Sequence, residues 1–520
     1  MHKKPQLMGC PGCSVSRRGF LAAGCAACAG VAGAMAGPAR SARAADKKPR
    51  IRVIYSLHDV VQPSPDWPNV GFDFRPVMER INNTLAQGCP NFEFLSSTAT
   101  GKEQAEKILA DDASEDILGY IVYQMNAWNR VIQTIATAEK PTLYADFQFG
   151  GSGGFLIYNA GFMREGRKNV GFVSSSDPDD LVAAARCFDI VVNGGAPAEF
   201  VAATAKARRA GTPEPASQDC LADSLKTLST EECLEQLKEK KIIAYRNEEA
   251  GKADPIMGIP IDYRPFSELN AAWEAADKDE AKAIADRWQA SAADIIDVSR
   301  ETIENSAAMY LGEKAVMEKH GASAITINCL GGFYGGHIHA YPCLGFYELN
   351  NHGLVGACEC DLRSTATMVA FSTLTQGRSG YISDPVMDSA KRQIIYAHCV
   401  ATNRVFGPNG EANPFKIMTH SEDRQGAAVR SIMPTGYMTT SLQVDQGRKE
   451  IVMHQGKAMA NDPDDRACRT KLCVEPKGDF EKLFTLWDKW GWHRVTFYGD
   501  FKEDVMALAG ATGFKVVEEA

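Results

Sequence analysis

Strands and helices alternate from residue 51 to residue 192, and that alternation restricts the fold more than any other feature of the chain. IRVIYS (51–56), ILGYIVYQ (117–124) and PTLYAD (141–146) are short β-rich runs. GFDFRPVMERINNTLAQG and NRVIQTIATAEK, which lie between them, have helical spacing. Units of this length imply βαβ crossovers and a parallel sheet. NVGFVSS and DPDDLVAAARCFDIVV carry the alternation into a second unit of the same class.

Further along, a polar stretch at 204–222 reads as an exposed insertion. Residues 278–320 form the longest helical region, stopped by Gly321. Beyond Gly407 the runs become short, β-branched and alternating, the pattern of an antiparallel domain. The expected fold class is α/β, with two Rossmann-like parallel-sheet domains followed by a β-rich, antiparallel, barrel-like C-terminal domain. The expected boundaries are 46–175, 176–375 and 376–520.

Residues 1–45 read as an address rather than as part of the fold. Arg17 and Arg18 precede Gly19-Phe20-Leu21, a weakly hydrophobic Ala/Gly run follows, and small residues surround a cleavage point after Ala44. That is the layout of a twin-arginine signal, and it predicts folded export to the periplasm. The run is too short and too weakly apolar for a membrane helix, so no stable membrane insertion is expected.

The leader holds six of the 56 basic residues, leaving 50 against 65 acidic ones. That balance excludes nucleic acid and anionic membrane surfaces as expected partners. Eleven of the fifteen cysteines lie beyond the leader, scattered through apolar sequence, which is not a disulfide scaffold. Cys468 and Cys473, in the polar stretch DDRACRTKLC, are spaced for a local bridge.

The segment GACECDLRSTATMVAFSTLTQGRSGYISD (356–384) carries the chemistry. It reads as strand, helix, strand, with Glu359 and Asp384 near strand ends, where polar groups of an α/β sheet face the ligand crevice. IIYAHC brings His398 to the end of another β-rich run, and WGWHRVTFYGD places His493 at the start of one. Two carboxylates and one or two imidazoles from separate elements are a ligand set for Mn²⁺ or a similar divalent ion. Spacing alone does not separate such a site from unrelated buried polar groups, because non-local ligands have no fixed interval.

The stretch CLGGFYGGHIHAYPCLGFYELNNHGLVGACECDLRSTATMVAFSTLTQGRSGYISDPVMD resembles the L-fucose/L-arabinose isomerase superfamily. Its marks are a Pro-Cys-Leu segment, a strand ending Cys-Glu-x-Asp, a small-residue helix and a strand ending in Asp. IIYAHC, IMTHSEDRQGAAVRSIMPTGYMTTSLQV and GWHRVTFYGD look like that family's C-terminal region, so the resemblance covers most of residues 50–520.

The resemblance implies aldose–ketose isomerisation of a free sugar through a cis-enediol. Glu359 and Asp384 would be both catalytic and metal-binding, with His493 as a further ligand. His398 matches the second histidine that arabinose-type members add. The resemblance also implies a homo-oligomer, a trimer or hexamer.

Alternatives from other classes stand beside it. One is an exported sugar-binding or sensing protein that keeps the fold without turnover. Another is a different metal-dependent sugar reaction, such as epimerisation or hydration. Trp492, His420 and His337 are the candidate substrate-binding residues. Each also has a simpler reading, as a core tryptophan, a capping or core histidine, and a surface turn.

Overall fold

β-Branched and aromatic residues buried on both faces mark the strands of a covered parallel sheet. In β1 (Arg50–Ser56), Ile51, Val53, Ile54 and Tyr55 are all buried. The computed structural model describes residues 47–126 and 128–520. The leader read at residues 1–45, with Arg17 and Arg18, lies outside the described residues.

The first sheet is completed by β2 (Glu93–Ala99), β3 (Ile117–Gln124), β4 (Thr142–Asp146) and β5 (Val170–Val173). All five strands are parallel, in the order β2-β1-β3-β4-β5.

The next strands are β6 (Ile242–Tyr245), β7 (Gly251–Ile256), β8 (Ile259–Arg264), β9 (Asp294–Ile296), β10 (Ala324–Ile327) and β11 (Val355–Cys358). Five of them form the second sheet, β11-β10-β6-β8-β7, parallel except at its β7 edge. There Met257 and Gly258, at φ 51° and 79°, make a two-residue hairpin turn.

The remaining strands are β12 (Tyr381–Asp388), β13 (Gln393–His398), β14 (Phe415–Met418), β15 (Ala428–Ser431), β16 (Met438–Asp445), β17 (Glu450–Asn461), β18 (Thr470–Pro476), β19 (Arg494–Tyr498) and β20 (Lys515–Glu518). Six of these close an antiparallel barrel in the order β16-β19-β12-β13-β18-β17, because β17 also pairs with β16. Closure leaves no open edge around the ring. β20 runs parallel to β17, and β9, β14 and β15 make a small separate sheet. Among the described residues no helix is long and apolar enough to cross a membrane.

Several local expectations are corrected. Residues 278–320 are two helices, Lys278–Ser291 and Arg300–His320, with β9 between them. Asp297 takes a left-handed conformation at φ 57°, and Ser299 caps the second helix by accepting from Thr302 N–H.

The polar stretch begins inside the helix Pro197–Gly211 and then runs as a strap along the barrel. Leu221 N–H donates to Gly436 O at 2.8 Å, Leu228 N–H to Leu374 O at 2.8 Å, and the buried Arg378 forks Asp223. From Pro213 to Ala222 most residues are exposed, as expected, and these bonds tie the segment down at a few points. Cys468 and Cys473 are both free thiols.

Asp384 does not end a strand. It lies inside β12, which continues through Pro385 to Asp388 and belongs to the barrel rather than to the sheet of β11. β12 pairs with β19 only up to Ser383, and the stretch holding Pro385 is bonded to β13.

A fully buried charge network holds the start of β19. Arg494 donates to both oxygens of Glu519, at 2.9 and 2.7 Å, and stacks 4.2 Å over the Trp487 ring. His454 bonds the same carboxylate at 2.8 Å and meets the Tyr396 hydroxyl on its other side. Burial opposes the Glu519 charge, but Arg494 and His454 outweigh it and hold its carboxyl at about 2.

The folded value lies below the unfolded one. The stabilisation is therefore fully present above the ordinary carboxylate value and is lost as pH falls toward about 2. Glu519→Gln is expected to destabilise the protein by on the order of 3 kcal/mol at neutral pH. Urea denaturation should show the deficit shrinking below about pH 4. A deficit that stays constant with pH would contradict the ion-pair account.

Candidate metal centre

Glu359 follows the last residue of β11, at the carboxyl end of a parallel strand. It and Cys360 both adopt left-handed backbone, at φ 65° and 53°. Two consecutive non-glycine residues in that region cost on the order of 1 kcal/mol each or more, a strain that clusters at functional sites. Cys360 N–H bonds Ile327 O at 3.0 Å and fixes the turn. The turn aims Glu359 across the junction between the second sheet and the barrel.

The structure brings Glu359, Asp384, His398 and His493 together. One ligand atom from each lies within 4.8 Å of all the others. His493 Nε2 stands 3.1 Å from Asp384 Oδ1 and 3.3 Å from Glu359 Oε2, and His398 Nε2 is 3.9 Å from Glu359 Oε1. Both Nε2 atoms are buried and have no hydrogen-bond partner. A histidine nitrogen without a hydrogen bond, His493 Nε2, beside the two carboxylates is a donor set a divalent cation satisfies. The residues present therefore fit a metal such as Mn²⁺.

Asp361 sets the ring of His493. Its side chain caps the helix Leu362–Leu374, accepting from Arg363 N–H at 3.0 Å and Ser364 N–H at 3.1 Å. Its other oxygen meets His493 Nδ1 at 2.9 Å. That bond keeps a proton on Nδ1 and turns Nε2 to the cluster, where it can ligate a cation once its own proton has left, the carboxylate–histidine arrangement found behind metal ligands. Burial opposes charge on His493, but Glu359, Asp361 and Asp384 together hold its pKa well above the ordinary range. Asp384 and Asp361 are both held low against their burial, chiefly by His493.

His398 is set differently. Cys399 N–H donates to its Nδ1 at 3.0 Å, so in the neutral ring the proton sits on Nε2. That nitrogen faces the cluster as a donor.

The substrate-binding candidates divide. Trp492 is at the centre: its indole N–H donates to Asp384 Oδ1 at 2.6 Å. Its ring meets Trp128 edge-on at 5.9 Å, and Trp128 also meets Tyr158. His420 is buried one layer back, next to Ser421, whose hydroxyl lies 4.0 Å from the Cys399 thiol. His337 is exposed, stacks on Phe266 at 5.9 Å, and is not part of the cluster.

Two residues escape a sequence reading that looks only for ligands. Asp361 carries a visible signal, an Asp one position before a small-residue helix, which marks a cap. Trp128 lies far from the motif and has no local signature. No protein-family model matches the chain, and no curated protein matches it.

The two roles of Asp361 are separable. Asn is as good a cap as Asp but a weaker acceptor for His493. Asp361→Asn should weaken Mn²⁺ binding by about 10–100-fold in calorimetric titration, with thermal stability nearly unchanged. Asp361→Ala should show the same metal loss plus about 1 kcal/mol of instability. Unaltered metal affinity in both variants would remove the orienting role.

Proposed function

We propose that the protein is a metal-dependent aldose–ketose isomerase of the L-fucose/L-arabinose isomerase type, acting on a free sugar through a cis-enediol. The observation that carries this reading is the pairing of Glu359 and Asp384 beside two imidazoles, brought together from four separate elements. Chemistry that moves hydrogen between neighbouring carbons, and between their oxygens, needs two proton carriers at one place.

Glu359, Asp384 and His493 Nε2 would hold the cation. When bound, it would polarise the sugar's O1 and O2 and offset negative charge developing there. Glu359 is the more exposed carboxylate, at 29% against 6% for Asp384, which supports it as the group that would take the proton from C2 and return it at C1. Asp384, held by the Trp492 indole, would relay the O2 proton to O1. His398 presents its Nε2–H to the sugar oxygens as a donor rather than as a fourth ligand. Trp492 and Trp128 offer ring faces at the same place. The leader read at residues 1–45 would deliver the folded enzyme to the periplasm, where it would work as a homo-oligomer.

The test uses Mn²⁺-loaded protein in D₂O with a panel of aldoses, followed by NMR. Deuterium should appear at C2, ketose should form, and both should vanish in Glu359→Gln. His398→Gln should retain metal to within about tenfold while turnover falls by about 10²-fold. Tight metal binding with no exchange on any aldose would contradict the isomerase reading and favour a sugar-binding protein or another reaction.

A further inference from the structure

A cleft of about 610 Å³ opens where the carboxyl ends of β3, β4 and β5 face the barrel. None of the four cluster residues lines it. Its barrel wall includes Asp388, four residues beyond Asp384 on the same strand and thus about 13 Å along it. The carboxyl edge of a parallel sheet is where such folds take ligands, and the volume lies in the range of small-molecule sites.

The lining sorts by chemistry. Tyr123, Phe147 and Phe149 supply apolar ring surface. Two cations facing the cleft are already matched by carboxylates: Lys391 lies 3.2 Å from Asp388, and Arg466 forks Asp464 at 3.0 and 2.5 Å. The Arg466 guanidinium also lies over the Phe147 ring at 4.7 Å.

Asp146, 4% exposed, accepts from the Ser152 and Ser174 hydroxyls at 3.0 Å and keeps capacity for further bonds. Burial pushes its carboxyl up to about 7, against those two hydroxyls. The Tyr123 hydroxyl makes no hydrogen bond among the described residues. Arg80 stands exposed at the mouth.

The lining also holds Asp177 and Asp462, so its carboxylates outnumber its cations and disfavour an anion, while each ion pair presents donors and acceptors side by side. Ring faces beside such pairs match the alternating C–H and O–H surfaces of a polyol. We infer that this cleft is a second binding site, for a neutral polyhydroxy compound of mono- or disaccharide size. It does not depend on the metal or on turnover.

The experiment titrates the full chain, stripped of metal by a chelator, with xylitol, sorbitol and maltitol, using calorimetry and saturation-transfer NMR. These alditols cannot isomerise, so the outcome is independent of the reaction proposed above. One alditol site per chain is expected. Thr84→Trp, which fills the cleft from the helix Arg75–Gly88, should weaken it by at least about tenfold. Arg466→Met should also weaken it, and Asp384→Asn should leave it unchanged. Thermal melts check that each variant is folded.

No alditol binding up to about 50 mM, where even a weak millimolar site would fill, would overturn the inference. So would binding that survives both cleft variants. A sugar phosphate or amino sugar binding about tenfold more tightly than the neutral compounds would overturn the ligand class.

Discussion

The hydrogen bond from His493 to Asp361 joins the two halves of the site. Asp361 belongs to the second sheet's following helix, as its cap, and His493 stands at the entrance to a barrel strand 132 residues later. The bond fixes the junction between those elements, the tautomer of the ring and the direction of its free nitrogen. Asp361 cannot move to suit the histidine without uncapping the helix, and the resulting geometry is rigid.

Behind His493 the next residue is anchored too. Arg494 is clamped by Glu519 on the opposite side of the strand, in full burial, and stacks on Trp487. The chain's penultimate residue thus helps to hold the strand from which His493 projects. Across the junction, the strained turn at Glu359 and Cys360 is held by the Ile327 carbonyl. Asp384 is fixed by the strand around it and by the Trp492 indole. Carboxylates placed so close together repel, and the imidazoles or a cation must balance them.

The fold is legible where the controlling interactions are local. The alternation through β1, β3, β4 and β5 is a pattern of adjacent residues and marks a parallel sheet, whereas the half-exposed edge strand β2, EFLSSTA, carries no such pattern. Barrel closure depends on the register between β16, β17 and β19, set by contacts far apart in the chain, and the sequence indicates only a β-rich, antiparallel region. Pro385 suggests a strand end after Asp384, yet the strand continues because its neighbour on one side stops at Ser383. The break at Asp297 within an otherwise helical pattern is equally hard to read, since β9 exists only by pairing with β14.

The four cluster residues are readable as candidates from their positions on β-rich runs and from a family resemblance. Their convergence is a property of the tertiary structure. What the motif hides is the difference between the two histidines: a main-chain N–H donates to His398, whereas a carboxylate accepts from His493. Metal occupancy of this cluster is the central claim, and anomalous diffraction at the manganese edge tests it most directly. Crystals of the Mn²⁺-loaded full chain should show a peak bonded to Glu359, Asp384 and His493 Nε2. A fully loaded crystal with no density there, or with its peak among other residues, would contradict the account.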